Sequence, residues 1–255
     1  MKTRTKILLL LLIALIGPIA LNADNPASAQ GPPKLKVLVV TGGHGFEQEP
    51  FFQVFKDNSE IKPTFASHGP TEATVFDRDD FLSYDVVVLY DIRQKMSDSQ
   101  KAKFLSLFDK GIGLVVLHHA LVSYQHWPDY EKIIGGKYPE EDNKSGVVTP
   151  EVGYQHDVQI PVVIVAKDHP ITAGLKDFTI HDEIYWGFRA QPDVTTLITT
   201  THPKSGKPLA WCRDQGKSRV VYLQLGHGPE AYANPNYRRL LANSIRWTAH
   251  KPLAE

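Results

Sequence analysis

Four histidines follow apolar, strand-like runs. His44 lies in Gly42-Gly43-His44-Gly45 after the run Leu35 to Thr41. His118 and His119 follow Gly113-Leu-Val-Val-Leu117, and His227 lies in Gly226-His227-Gly228 after Arg219 to Leu225. Ligands of open α/β sheets bind just outside the carboxyl ends of the strands. If these runs are parallel neighbours, the imidazoles meet at one edge. Asp182-Glu183 is the acidic pair that can join them. Neutral imidazoles with one carboxylate suit zinc, manganese, cobalt or iron. The same groups suit general acid and base work on a polar substrate. The expected acid/base groups are His118, His119, Glu183 and Asp182, and the expected metal ligands are His44, His119 and His227. Neighbours on an extended chain point to opposite faces. One of His118 and His119 should therefore face the cleft while the other supports it. A single histidine in such a place more often satisfies backbone groups where a strand becomes a loop; four at equivalent strand ends point to a site.

Gly43 permits close backbone approach to a ligand. Trp127, Tyr130, Tyr185 and Trp186 can stack on a sugar ring, although each alone also suits a core. Tyr154, Gln155 and His156 fall in a loose segment and can form part of a lid. His169 starts a turn before Ile171 and Leu175. Several chemistries lack their motifs. There is no G-x-S-x-G elbow, no phosphate-binding loop and no helical zinc motif. The glycines near residue 43 lack the dinucleotide spacing, so no nucleotide cofactor is expected.

The elements that must position these residues alternate β-α-β-(α)-β-α-β. Strands are expected at Leu35 to Thr41, Thr64 to Ser67 and Asp85 to Asp91, with Gly113 to Leu117 as the central one. Unbroken apolar runs of this kind suit a parallel sheet buried on both faces. Glu47 to Asn58 reads as a helix with Phe51, Phe52 and Phe55 inward. Ser97 with Gln100 makes a capping box for a helix through Asp109, which Gly111 ends. A short helix ends at Gly135-Gly136, and Lys137 to Tyr154 is polar and without periodicity. Asp157 to Ala166 reads as a strand whose Pro161 suits an edge or a bulge. Strands follow at Thr195 to Thr200 and Arg219 to Leu225, with a strand-like run before Arg213. The last helix is Asn236 to His250. This order implies an α/β, flavodoxin-like three-layer sandwich with right-handed crossovers and a mostly parallel central sheet.

Lys2, Arg4 and Lys6 precede the apolar run from Ile7 to Leu21, and Ala27-Ser28-Ala29 follows. This reads as a secretory signal over residues 1–29, cleaved after Ala29, with Ala23 as a second point. Residues 30–34 then form a linker and 35–250 one domain. Export to the periplasm or beyond is expected, without stable membrane insertion after cleavage. The leader carries three bases and one acid, so its removal takes the formal charge from 0 to −2. A near-neutral surface without a Lys/Arg run argues against nucleic acid. The lone Cys212 permits no internal disulfide and reads as a packed small hydrophobe. Nothing opposes assembly into an oligomer.

Taken together, these stretches resemble the ThuA-like family, named for trehalose utilisation. The resemblance runs from Leu35 to about Trp247. It is carried by Gly42-Gly43-His44, Leu117-His118-His119, the Trp127 to Gly136 region, His169-Pro170-Ile171-Thr172, Asp182-Glu183-Ile184-Tyr185, Gly226-His227 and Asn243-Ser-Ile-Arg246-Trp247. It implies a class I glutamine amidotransferase-like fold. Those relatives carry a nucleophilic cysteine after the central strand. Here His118-His119 takes that place, so glutamine hydrolysis is not expected. The resemblance further implies a small-molecule carbohydrate as partner, specifically disaccharides oxidised at the 3-position. A 3-keto group acidifies the C2 proton, and cleavage by enolisation and elimination then needs a base and an enolate stabiliser. The alternative is a non-catalytic carbohydrate-binding module on the same scaffold. A plain glycosidase fits less well, because it needs two separated carboxyls and only one acidic pair stands out.

Overall fold

The computed structural model describes residues 33–92, 95–139 and 149–252. The expected leader, most of the expected linker and the middle of the Lys137 to Tyr154 segment lie outside the described residues. The chain opens with β1 (Leu35–Gly42), α1 (Gln48–Lys56), β2 (Ile61–Ser67), β3 (Val86–Asp91), α2 (Asp98–Lys110) and β4 (Gly113–Leu117). A middle section follows with α3 (Pro128–Ile134), β5 (Gly136–Lys137), β6 (Gly153–Ile164), β7 (Phe178–Trp186) and β8 (Arg189–Ala190). The chain continues through β9 (Thr195–Thr200), β10 (Ala210–Gln215), β11 (Ser218–Leu223), α4 (Pro229–Ala233) and α5 (Pro235–Thr248). Among the described residues no helix is long and apolar enough to cross a membrane.

One sheet takes the order β2-β1-β3-β4-β11-β10-β9-β6-β7, and β5 pairs separately with β8. The first five strands are parallel neighbours, and the remaining pairs are antiparallel. Every strand except β10 and β6 therefore points the same way. The parallel half is buried on both sides because its runs are apolar at every position. Val86, Val88 and Tyr90 of β3 enter one core layer with Phe51 and Phe55 of α1 and Leu240 and Ile245 of α5. Val87 and Leu89 enter the other layer with Phe104 and Leu107 of α2 and Tyr130 and Ile133 of α3. Burying each such valine, leucine or phenylalanine is worth about 1.5–3 kcal/mol. The result is the expected α/β three-layer sandwich.

The capping box of α2 is present in both directions between Ser97 and Gln100, and Gly111 closes the helix at φ 75. The second strand is longer than expected and carries Pro63, which β2 tolerates as an edge strand. Pro161 corrects its expectation. It sits in the inner strand β6, and the bulge falls between Gln155 and Val158 instead. On its other side β6 pairs with β9 only from Val162 to Ile164, so that ladder asks no bond of the Pro161 nitrogen. The stretch Phe178 to Trp186, which has no clean apolar alternation, is the far edge strand β7.

Candidate active site

The central strand stops at Leu117, and the next five residues form a 3-10 turn that His118 opens at φ 49. A non-glycine residue there costs on the order of 1–3 kcal/mol and persists only where its surroundings fix it. The surroundings do fix it: the His118 carbonyl accepts from Tyr222 Oη at 3.1 Å, and Nδ1 lies 2.6 Å from the Gln224 carbonyl. A carbonyl oxygen only accepts, so Nδ1 carries the proton. Nε2 then presents its lone pair unless a second proton arrives. Around Nε2 stand Tyr185 Oη at 2.8 Å, His227 Nδ1 at 3.0 Å and Glu183 Oε2 at 3.1 Å.

Glu183 reaches this point from β7, which the sheet order leaves far from β4. The antiparallel half must curl back, and cross-strand bonds record that it does. Gln224 Nε2 donates to the Glu183 carbonyl at 2.9 Å, and Asp182 accepts from the backbone N–H groups of Gly226 and His227 at 2.7 and 2.9 Å. Neighbours on a strand face opposite ways, and here that separates the two acids. Glu183 meets the imidazoles, with Oε2 at 2.5 Å from His227 Nδ1 and 3.6 Å from His156 Nδ1. Asp182 holds the backbone of the Gly226-His227 turn. Its expected role as a second acid/base group is corrected to that of a positioning residue.

Burial works against the charge on Glu183, yet the hydrogen bonds from His118 and His227 outweigh it and hold the carboxyl well below its usual range. Burial also opposes charge on His118, and Glu183 more than offsets it, so this imidazole is raised. Burial pushes Asp182 upward against the pull of His118 and the two backbone donors.

His119 lies apart from this cluster. It is buried, with Tyr90 4.3 Å and His44 4.8 Å from its ring. Neither ring nitrogen has a partner of ordinary geometry among the described residues, and the Tyr90 backbone offers only a weak one. Burial, and then repulsion from His118 and His44, pushes His119 far below the usual imidazole range. His44 is exposed at the rim, 6.0 Å from the His227 ring, and is lowered first by partial burial and then by His227 and His118.

The expected metal set of His44, His119 and His227 is therefore corrected. Among the described residues, the group that can hold an ion is His118, Glu183 and His227, with ligand atoms within 4.8 Å of one another. The left-handed turn at His118 aims that imidazole at β7 and leaves His119 under His44. The aromatic residues divide as well. Tyr185 stacks on His118 at 4.8 Å and offers it a hydroxyl. Trp127 and Tyr130 are corrected to core residues, packed on Phe104, with Tyr130 donating to the Ala120 carbonyl. Trp186 is half-buried and donates to the Thr149 carbonyl. Gly43, at φ 78, turns the chain beside a cleft of about 520 Å³ that it lines with His44, Phe46, Phe52, Phe65 and Ser67.

Cys212 is buried, and that burial pushes its thiol up to about 12, which disfavours the thiolate. His169 accepts from the Ile171 N–H and starts its turn, as expected. His156, expected in a lid, joins the cluster instead, and Gln224 joins it with one signal in the sequence, as the single polar interruption of the apolar run from Val220 to Leu225.

A family model described as ThuA, trehalose utilisation, matches residues 36–248. Among solved structures, a ThuA-like protein from Parabacteroides merdae is 22% identical with a TM-score of 0.75, covering 87% of this chain and 92% of its own. PurLQS from Thermotoga maritima is 13% identical with a TM-score of 0.53, covering 84% and 99%. A β-galactosidase from Rahnella is 12% identical with a TM-score of 0.55 over 84% of this chain and 32% of its own. Likenesses at such identity show the fold alone. No curated protein matches. The family match spans nearly every element that builds the histidine and carboxylate cluster, and the chain belongs to the ThuA, or trehalose utilisation, family.

Proposed function

We propose that this protein is an exported enzyme of carbohydrate metabolism that cleaves 3-keto glycosides, disaccharides among them. The observation that carries this reading is the pairing of an ionised Glu183, held between His118 and His227, with the exposed His44 at the rim of a cleft. Elimination needs a base at the surface and a cationic group behind it, and these two parts supply them. The base takes the C2 proton of the keto sugar, the C1–O bond breaks, and the leaving oxygen picks up a proton. Water adding to the resulting enone completes a hydrolysis. His44 suits the base, since its lowered affinity for protons keeps it neutral at pH 7. The His118, Glu183 and His227 centre suits the enolate oxygen, carrying either a proton or a divalent ion such as zinc, manganese, cobalt or iron.

Turnover of a 3-keto disaccharide, compared with its parent sugar, tests the reading. Cleavage of the keto form alone is expected, with His44→Ala lowering kcat/KM by about 10²–10⁴-fold, the usual worth of a general base. The acid limb of the pH profile should lie below the ordinary histidine value of 6.5. Binding of keto sugars without any turnover would replace the enzyme with a carbohydrate-binding module. The leader supports export, and the amino terminus of the protein recovered outside the cytoplasm should begin at Gln30.

A further inference from the structure

We propose that His118 Nε2, Glu183 Oε2 and His227 Nδ1 are the three protein ligands of an open, catalytic-type centre for a divalent transition metal. The existence of the centre stands on its own geometry; only its role as enolate stabiliser rests on the reading above.

The first argument is the tautomer. Metal-ligating histidines almost always donate their other ring N–H to a carbonyl or carboxylate, which fixes the ring and exposes the lone pair. His118 does this through Nδ1 to the Gln224 carbonyl at 2.6 Å. Its Nε2 lone pair then points at a carboxylate oxygen only 3.1 Å away. Without a second proton on that ring, two acceptors face one another there, and a shared cation, either a metal ion or the proton of the rival arrangement, relieves the repulsion.

The second argument is spacing. Donors about 2.0–2.2 Å from a tetrahedral ion stand about 3.3–3.6 Å apart. The three separations here are 3.0, 3.1 and 2.5 Å. An ion would spread them by up to about 1 Å, a distance that side-chain adjustment can cover.

The third is the outer shell. Gln224 holds both neighbours, its carbonyl on His118 and its Nε2 on the Glu183 carbonyl at 2.9 Å. Asp182 anchors the His227 backbone through two bonds. Outer-shell partners of this kind orient ligands.

The donor set also selects the ion. Two imidazoles and one carboxylate suit zinc, cobalt or ferrous iron, whereas magnesium and calcium prefer oxygen ligands. Three protein ligands leave at least one position open, as catalytic sites do and structural zinc sites do not. The rival arrangement needs only protons: Tyr185 donates to His118 Nε2, and His227 donates to Glu183.

Cobalt titration of the purified, chelator-stripped protein decides between them. The expected result is one equivalent of Co²⁺ per chain with visible d–d absorption, displaced by Zn²⁺ and untouched by Mg²⁺ or Ca²⁺. His227→Asn and Glu183→Gln should each weaken cobalt binding by at least about 100-fold, beyond the 10–100-fold typical of outer-shell changes. His227 is partly exposed, so its variant keeps a fold readable by circular dichroism even where His118→Asn does not. His44→Ala should bind cobalt normally while losing turnover. No stoichiometric cobalt, or cobalt binding indifferent to His227→Asn in the folded protein, overturns the centre and leaves the proton arrangement. Keto-sugar cleavage without metal then still stands as a function, and metal without cleavage would sink the function but not the centre.

Discussion

Glu183 concentrates the electrostatics of the site on one oxygen, which lies within 3.6 Å of three imidazole nitrogens. Its folded-state affinity for protons is lowered, so the stability it adds is present above its unfolded value near 4.5 and is lost as the pH falls below it. Glu183→Gln should flatten that acid limb of a urea-midpoint profile while lowering turnover. A second buried pair tests the same physics away from the cluster. Burial pushes Asp91 up to about 7 and His68 down to about 4, with Tyr124 donating to Asp91 and the Val75 N–H donating to His68 Nδ1. As pH rises from about 4 to 7, the folded chain keeps the Asp91 proton that the unfolded chain releases, and stability falls. As pH drops from 6.5 to about 4, the unfolded chain charges a histidine that the folded one keeps neutral, and stability falls again. Each slope is at most about 1.4 kcal/mol per pH unit, and in the shared window they oppose each other. Asp91→Asn should therefore expose a loss of stability on acidification, and His68→Asn the reverse. Identical urea-midpoint profiles for the two variants would refute both shifts.

At the level of elements, the end of β4 decides where the chemistry sits. A strand continued past Leu117 would send His118 and His119 to opposite faces. The left-handed residue instead turns both toward the sheet edge, one at Glu183 and one under His44. The other end of β4 is fixed by close packing. A Cβ built on Gly113 would lie 2.6 Å from the Thr248 carbonyl at the close of α5, a backbone atom that cannot swing away. Gly113→Ala should cost about 1–3 kcal/mol by overpacking, lowering the thermal midpoint by several degrees. An unchanged melt would mean that α5 shifts freely against β4.

At the scale of the whole molecule, the site joins two halves of one sheet. His44, His118, His119 and His227 come from the parallel half, where strand ends are neighbours. Glu183 and His156 come from the β6–β7 pair at the far antiparallel edge, where β6 exposes alternate residues while β7 keeps residues 182–185 buried. Edge hairpins open more readily than doubly buried strands. Amide exchange should accordingly be slowest in β1, β3, β4 and β11 and faster in β7. Addition of the cation or a keto sugar should slow exchange at residues 182–185 more than in β2. Equal protection of β7 with and without them would mean that neither bridges the two halves.

The sequence by itself determined the parallel half, the ends of its strands and the helices over it. Apolar β-branched runs, a capping box and glycine stops act locally, so β1, β3, β4 and α2 were readable from their own residues. The convergence of His44, His118 and His227 followed from the same logic, because parallel neighbours end at one edge. Tertiary structure alone decided the rest. β7 carries no clean alternation, and a chain cannot announce that a distant edge strand curls back over another's end. So the split of Asp182 from Glu183, the recruitment of His156 and Gln224, and the burial of Trp127 and Tyr130 emerged only in three dimensions. So did the choice of His118 over His119, which rests on one backbone angle stabilised by contacts from Tyr222 and Gln224, more than a hundred residues away along the chain.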